Sequence, residues 1–474
     1  MKTFSCLLLL TVLSASADRA KSYQTHEIVP KKELLITDTS VVDSAYATYP
    51  GPFSFGHLVE SLAGDRGVET FIADWVKLWE EDQLVNEHLV KARPAIREKL
   101  IEPWQWKYGH CPESGAPWEI NLANAPFRLL AIVNRLDLGT GIFIDHENHV
   151  SHSGASQYYS NSGSEIRFVF AALDPDGKPL EGGFTMILEY GFRGARDFRA
   201  ARKVPESVTN YAAYWHHLGT FKEFDQAYLD ALANATRVLT DRDVERTLNT
   251  LTDTQGKSIS VRLGEESSPL LHQIRTNDRA LSPDHEFRQC SVKHGSISAA
   301  MLDGTPAAVF LDSKTKENRA LTKLLNENKR SIKNGTFAIP ASLRGQSRRH
   351  RISLFAGSSI IPDNDPAFHW SMNRNHDGTV RRRFAMGTCN GCHSAETQTQ
   401  FFHIEPRAAG EEAKISKFLS FKGPLEVPDP AHPRSSVQLN EMGQRIALFT
   451  AALNPSMRTN QIRLRLKKHQ RQNH

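Results

Sequence analysis

One short segment near the C-terminus constrains this chain more than any other part of its sequence. Cys389 and Cys392 are separated by two residues, and His393 follows them directly. Cys-x-x-Cys-His is the attachment signature of a c-type haem. Two thiols on about one helical turn reach adjacent vinyl groups and form thioethers, and the histidine binds the iron as its proximal ligand. The segment therefore predicts one covalent haem c, with its iron.

Other interpretations of these cysteines stay open. The pair could form a redox-active or structural disulfide, as Cys-x-x-Cys does in other proteins. It could also bind zinc together with His393 and another histidine, or have no special role. Because the chain has only five cysteines among 474 residues, a chance match is rare. Haem attachment is therefore the favoured interpretation.

The N-terminus has the three-part pattern of a secretory signal. Lys2 supplies a positive charge, Phe4 to Leu13 is apolar, and Ala15-Ser16-Ala17 offers a small-residue cleavage site. The apolar stretch is too short to span a bilayer. Bacterial haem attachment of this kind follows export, so both features indicate the same compartment. We therefore predict that residues 1–17 are removed and that the mature protein is periplasmic or secreted, without a transmembrane segment.

Charge gives only weak information about partners. The net charge of +5 is mild for this length, so no nucleic-acid partner is expected. The basic tail from Arg463 to Arg471 is more typical of a solvated terminus than of a binding surface. A haem protein in the periplasm is instead expected to exchange electrons with a redox partner protein.

Two cysteines of the mature chain lie outside the motif, at Cys111 and Cys290. An exported protein is in a compartment that permits disulfides, so we predict a bridge between them. Two separate buried thiols are nearly as good an alternative, because the sequence does not show that the residues meet.

The pattern of hydrophobic residues predicts an α+β protein with three regions after the signal. Residues 18–115 are predicted to form an N-terminal arm and a helical region. Residues 116–375 are predicted to form a mixed α+β region. Residues 376–474 are predicted to form a small all-α cytochrome c-like module with a basic tail, because the haem motif needs a few helices around one haem.

Three sets of residues support this division. Tryptophans near helical spacing are expected to pack in the core rather than bind a ligand: Trp75, Trp79, Trp104 and Trp106. Apolar residues alternate as in a strand at Phe184, Met186, Leu188 and Tyr190. One apolar face predicts a final helix through Leu439, Met442, Ile446 and Phe449.

The second axial ligand of the iron decides the chemistry of such a haem. A distal methionine raises the reduction potential, a histidine lowers it, and an empty position allows peroxide or gas chemistry. Met442 and His403 follow His393 at distances along the chain that could reach the iron. We keep both as tentative distal ligands.

Other polar residues are weaker candidates. Four could be catalytic but are more typical of structural ion pairs: Asp137, Glu165, Arg167 and Arg275. Three histidines at three-residue steps could bind a metal if they were helical: His146, His149 and His152. The glycine, serine and asparagine residues that follow them favour a loop.

The motif and its surroundings also resemble known sequences. The C-terminal region is similar to that of uncharacterised secreted proteins from Gram-negative bacteria in three segments: Thr388–Thr397, Phe402–Ile404 and Pro406–Arg407. The resemblance extends upstream to Asn134–Leu138, Glu165–Phe170 and Gln273–Asn277, and so covers most of the mature chain. The motif itself resembles the cytochrome c superfamily, which implies Cys389, Cys392 and His393 as haem ligands. The large region before the motif departs from small cytochromes c, and the family implies no established reaction.

These observations lead to three functional hypotheses. The first is a periplasmic c-type haem protein that transfers single electrons. The second is a haem enzyme of the peroxidase type, with substrate bound between the haem module and the α+β region. The third is a non-haem envelope binding protein in which Cys389 and Cys392 form a structural disulfide.

Overall fold

The computed structural model describes residues 27–106, 120–140, 142–144, 150–152, 164–191, 206–243, 247–252, 258–262, 269–334, 337, 339–344, 351–362, 365, 367–373, 377–454 and 461. Several predictions from the sequence lie outside these residues: the signal segment 1–17, Cys111, His146, His149 and the basic tail. His152 is described only as part of a short strand. None of the described helices is long and apolar enough to cross a membrane.

The strands are numbered along the chain. They are β1 Leu35–Ile36, β2 Gln83–Val85, β3 His88–Val90, β4 Phe127–Arg135, β5 Ile142–Ile144, β6 Val150–His152, β7 Glu165–Ala172, β8 Phe184–Gly191, β9 Thr247–Thr252, β10 Ser258–Arg262, β11 Leu271–Asp278, β12 His285–Lys293, β13 Ser296–Ala300, β14 Ser342–Arg344, β15 Arg351–Ser353, β16 Ser358–Ile361, β17 Leu425–Asp429 and β18 His432–Leu439.

The helices are numbered in the same way. They are α1 Pro30–Glu33, α2 Thr39–Val42, α3 Phe55–Ala63, α4 Val68–Glu80, α5 Glu102–Trp106, α6 Glu206–Leu218, α7 Gln226–Thr240, α8 Lys316–Glu327, α9 Lys329–Lys333, α10 Gly378–Ala385, α11 Cys389–Cys392 and α12 Glu441–Leu453.

An antiparallel sheet of eight strands lies at the centre of the described chain. Seven strands follow the order β1-β4-β7-β8-β11-β12-β13, and β16 also pairs with β12. The other described strands form two-stranded hairpins. The central strands β7 and β8 are rich in β-branched and aromatic residues, which fit a pleated and buried surface.

The two faces of the sheet have different partners, because successive side chains of a strand point to opposite faces. On one face Phe168 and Phe170 pack against Phe53 and Phe55, at ring-centroid distances of 6.4 and 5.7 Å. The predicted alternation in β8 is confirmed, since Phe184, Met186, Leu188 and Tyr190 are all buried in this core. The opposite face carries Arg167, Val169 and Ile187, and it lines a cavity.

Helix α4 covers the packed face of the sheet with tryptophans. Trp75 and Trp79 lie 6.5 and 5.3 Å from the ring of Phe184, measured between centroids. Both are fully buried, as is Trp104 in α5. Core packing of these three tryptophans is therefore confirmed, whereas the side chain of Trp106 lies outside the described part.

The predicted fold class is wrong in its C-terminal part. Residues 376–474 do not form a small all-α module, because β17 and β18 form an antiparallel hairpin there. Cross-strand apolar pairs hold the hairpin together, with Leu425 opposite Leu439 and Val427 opposite Val437. Three prolines between residues 428 and 433 favour a loop in the sequence. An edge strand tolerates proline where its backbone nitrogen faces solvent, because no ladder hydrogen bond is lost there.

The chain is thus a mixed α/β protein built around one large antiparallel sheet. Its principal hydrophobic core takes residues from Leu34 through to Leu453, and so from all three predicted regions. The supposedly helical region 18–115 also contains the β2–β3 hairpin. The predicted final helix is present as α12, which packs against α6 and against the turn Leu136–Thr140 that follows β4.

Candidate functional site

The two cysteines lie at the two ends of the single-turn helix α11. Thr388 caps this helix, since its Oγ1 accepts a hydrogen bond from the N–H of Gly391 at 3.1 Å. The same Oγ1 donates to the carbonyl of Ala385 at 2.7 Å and so ties α11 to the end of α10. Cys389, Cys392 and His393, at the C-cap, all line the same cavity.

Asn390, between the cysteines, anchors the motif on the opposite side. Its side-chain N–H₂ donates to Ser359 Oγ and to the Ile360 carbonyl, each at 3.2 Å, and both acceptors belong to strand β16. Its Oδ1 accepts from the indole N–H of Trp370 at 3.0 Å. The backbone N–H of Cys389 donates to Thr305 Oγ1 at 2.8 Å. These bonds hold the motif in one orientation.

Gly391 permits the close approach of α11 to α10. A Cβ atom at this position would lie only 2.1 Å from the Ala385 carbonyl oxygen. Neither helix can shift easily, because Asn390 and Thr388 are hydrogen-bonded to fixed groups. The two residues between the cysteines therefore have structural roles, and the cysteines and the histidine remain available to a ligand.

We expect Gly391→Ala to displace the motif and destabilise the fold by about 1–3 kcal/mol or more, the usual cost of overpacking. Thermal unfolding, followed by circular dichroism, measures the loss. Gly378→Ala is the matched control, because a Cβ there meets the mostly exposed His432 ring at 3.3 Å and Asp429 Oδ2 at 3.7 Å, an ordinary contact. An unchanged melting temperature in Gly391→Ala would contradict the close packing of the two helices.

The cavity is formed between α11 and the open face of the sheet. Its volume is about 260 Å³, slightly below the roughly 300–1,000 Å³ of typical small-ligand pockets. Its apolar lining comes from both walls and includes Val133, Val169, Ile187, Met386, Phe402, Ile404, Phe418, Leu419 and Leu448. Along β7, the residue paired with Arg135 and the residue paired with Thr185 are six positions apart, so this wall is about 20 Å long.

His393 has the geometry of an oriented metal ligand. Its Nδ1 forms a hydrogen bond with the backbone carbonyl of Phe401. Since a carbonyl only accepts, Nδ1 carries the proton and Nε2 is left with its lone pair. Burial lowers the pKa of His393 to about 4, with a smaller contribution from Arg275. The imidazole is therefore neutral near pH 7, as a metal ligand must be.

The two motif cysteines are free thiols in the structure. Burial raises the pKa of Cys392, and the nearby Glu441 and Cys389 act in the same direction. The raised pKa keeps Cys392 in the thiol form near pH 7. No group of three or more His, Cys, Asp or Glu among the described residues could hold a metal ion on protein ligands alone.

The tentative distal ligands occupy different positions. His403 lines the cavity, and its Nε2 lies 3.5 Å from Cys392 Sγ. Met442 is buried in the core and is not among the cavity-lining residues. Burial, together with His393 and Arg445, lowers the pKa of His403 well below its usual value, so this ring is also neutral.

The rings of His393 and His403 lie side by side, with centroids 4.3 Å apart. Ligands on opposite sides of one iron would place their nitrogens about 4 Å apart, at about 2 Å per metal–imidazole bond, with both rings extending outward. Their centroids would then be farther apart than those observed. In this arrangement His403 is a neighbour of His393, the predicted proximal ligand, and the role of His403 as a distal ligand stays a prediction.

The four polar residues singled out in the sequence converge on or beside the cavity. Asp137 binds Arg135 through two contacts of 3.0 and 3.1 Å. Arg167 contacts Glu165 at 2.7 Å and Glu189 at 3.3 Å, and Arg275 lies 4.0 Å from Glu189. They form ion pairs, as the sequence favours, but Asp137, Arg167 and Arg275 also face the cavity.

Three cavity residues were missed in the sequence. Asp303 follows β13 and faces Arg275, and burial raises the pKa of its carboxyl group. Glu441 and Arg445 form an i,i+4 pair on α12, with Arg445 Nε 2.9 Å from Glu441 Oε1. The spacing of Glu441 and Arg445 in the predicted final helix was the available signal, although helix pairs of this kind are usually exposed.

The site is thus described by its geometry alone. Comparisons with protein-family models, with curated proteins and with solved structures found no match to this chain. The resemblance to uncharacterised secreted bacterial proteins stays a prediction. The predicted Cys111–Cys290 bridge also stays a prediction, because Cys290 is a free buried thiol in the structure and Cys111 is outside the described residues.

Proposed function

We propose that this chain is a c-type haem protein of the bacterial envelope, with thioethers at Cys389 and Cys392 and His393 as proximal iron ligand. The observation that supports it is the orientation of the motif. Its three reactive side chains line one cavity. The asparagine between the cysteines bonds to β16, and the glycine between them packs against the end of α10. If the Cys-x-x-Cys-His sequence had arisen by chance, we would not expect its reactive side chains to face a cavity while the residues between the cysteines anchor the segment.

The residues of the cavity suit a haem in two respects. The apolar side chains on both walls offer a surface to the flat macrocycle, and polar groups lie at the margins. Some buried polar atoms of the lining have no hydrogen-bond partner in the structure, among them Thr185 Oγ1 and Arg445 Nη1. Buried polar groups are normally satisfied, so such atoms indicate space for a partly polar ligand.

In this proposal each residue of the motif has a defined task. Cys389 and Cys392 would hold the ring through two thioethers, and the Phe401 carbonyl orients His393 and leaves Nε2 as the nitrogen that would bind the iron. The haem supplies one-electron chemistry when it is bound. The protein sets its reduction potential through the axial ligands and through burial. Single-electron exchange with a periplasmic redox partner protein is the role we propose.

A haem enzyme of the peroxidase type is the second candidate, and one observation favours it. The sheet wall opposite the motif carries Arg275 and Asn277 rather than an iron ligand, and Asp303, which follows β13, also lines the cavity. Burial raises the pKa of the Asp303 carboxyl group, whereas Arg275 acts in the opposite direction. Polar groups that can exchange a proton near an open iron position are typical of enzymes rather than carriers.

The test is the absorbance spectrum of the full chain, produced in a host able to mature c-type cytochromes. We expect a Soret band and a haem stain that survives a denaturing gel. A low-spin spectrum that peroxide does not change would support the carrier. A high-spin spectrum that peroxide does change would support the enzyme. A colourless preparation would reject both and favour the protein with a structural disulfide.

A further inference from the structure

The guanidinium of Arg445 is the most unusual charged group in the cavity wall. The residue is 7% exposed and lines the cavity from α12. Its Nε is paired with Glu441 at 2.9 Å. Its Nη1 is buried and has no hydrogen-bond partner in the structure. A buried cationic donor without an acceptor is costly, so the position calls for a partner that the chain itself does not supply.

A second arginine lies in the same part of the cavity wall, and Glu441 and Asp137 partly balance the two positive charges. Arg135, at the end of β4, also lines the cavity and is paired with Asp137. Burial lowers the pKa of Arg445, and repulsion from Arg135 is the next cause. An anion between the two side chains would relieve that repulsion. The turn Leu136–Thr140 packs against α12 and holds the two arginines in place.

We propose that Arg445, with Arg135 beside it, is a binding site for a carboxylate group inside the cavity. A guanidinium presents a planar fork of N–H donors, which matches the two oxygens of a carboxylate. The Nε of Arg445 is engaged by Glu441, so the free Nη1 is the donor aimed at the ligand.

Two sources of this carboxylate are possible. One is a propionate of the haem, and this source rests on the proposed function. The other is a separate small carboxylate that enters the cavity, and this source does not depend on haem. Both sources present a carboxylate to Arg445, so the same variants test both. Two different measurements then distinguish the sources.

The first measurement is calorimetric titration of the full chain with sodium acetate, at ionic strength held constant with chloride. If a separate carboxylate fills the site, wild type binds acetate saturably and Arg445→Met binds it at least about tenfold more weakly, since bonds to charged groups are among the stronger ones. Arg445→Lys keeps the charge but loses the fork and should recover only part of the affinity. Arg66→Met, at an exposed ion pair, is the control.

The second measurement is the propionate bending band in the resonance Raman spectrum of the haem-containing protein. If a propionate fills the site, acetate does not bind, and this band shifts in Arg445→Met but not in Arg66→Met. Absence of both acetate binding and a band shift overturns the proposal, because water alone would then satisfy Nη1.

Two further controls keep this test decisive. Arg445→Met removes the ion pair between Arg445 and Glu441, so the double variant Glu441→Gln/Arg445→Met is measured as well. A haem stain on the same preparations tests the proposed function separately. If the stain is absent, the haem assignment fails, but acetate titration of the colourless protein still tests the arginine site.

Discussion

Replacing Cys389 and Cys392 together by serine is expected to remove covalently bound haem completely. Serine keeps the size and the hydrogen-bonding capacity of cysteine but cannot form a thioether. Both side chains face the cavity, whereas the backbone of the motif is held by Thr305 and Asn390. The double variant should therefore fold like the wild type and lose the haem stain on a denaturing gel. Cys392→Ser alone should keep at most one thioether and stain more weakly.

The matched control for this prediction is Cys290→Ala. Cys290 is also a free cysteine, but it is buried in β12 and does not line the cavity. Its variant should stain like the wild type, although the smaller side chain lowers stability. Stain that persists in the double cysteine variant would contradict covalent attachment at the motif. Loss of stain in Cys290→Ala in step with a reduced folded yield would show that the assay responds to stability and not to chemistry.

The motif side of the site could be predicted from the sequence, because it depends on residues that are close together along the chain. The motif spans five residues, and its spacing alone predicts which atoms meet a porphyrin. The alternation in β8 and the apolar face of α12 are equally local, and both elements are present. Each of these features is set by the period of one strand or one helix.

The opposite wall of the cavity could not be predicted in this way. It consists of residues from four strands, such as Val133, Arg167, Ile187 and Asn277, which are more than 100 residues before the motif. They become neighbours only through the register of β4, β7, β8 and β11. Periodicity assigns each of them a face of its own strand, but it does not show which element covers that face.

The error in the C-terminal region has a related cause. A haem motif in a short segment predicts a few helices that enclose the ring by themselves. In this chain the sheet supplies one wall, so the C-terminal segment does not need to enclose a ligand alone. The hairpin β17–β18 forms in that segment, with Asp429 paired to Arg381 at 2.8 Å. The sheet in the large region before the motif therefore supplies one wall of the cavity.

Replacing His393 by glycine is expected to remove the proximal ligand and to change the iron coordination in any haem that remains attached. The ring is held by Phe401, so its loss should leave a gap that free imidazole can enter. Addition of imidazole should then restore the absorbance spectrum of the wild type. The absorbance spectrum and its change on titration with imidazole measure this result.

His403→Ala and Met442→Leu are the comparisons that make the His393 experiment specific. Since the two histidine rings lie side by side, loss of His403 should leave the proximal bond and the covalent haem in place. Met442 is buried away from the cavity, so its conservative replacement should not change the spectrum. A conversion from low spin to high spin in either variant would identify a distal ligand and would require that side chain to move when haem is attached. An unchanged spectrum in both variants, with a changed one in His393→Gly, would leave the sheet wall of the cavity as the side on which external ligands approach the iron.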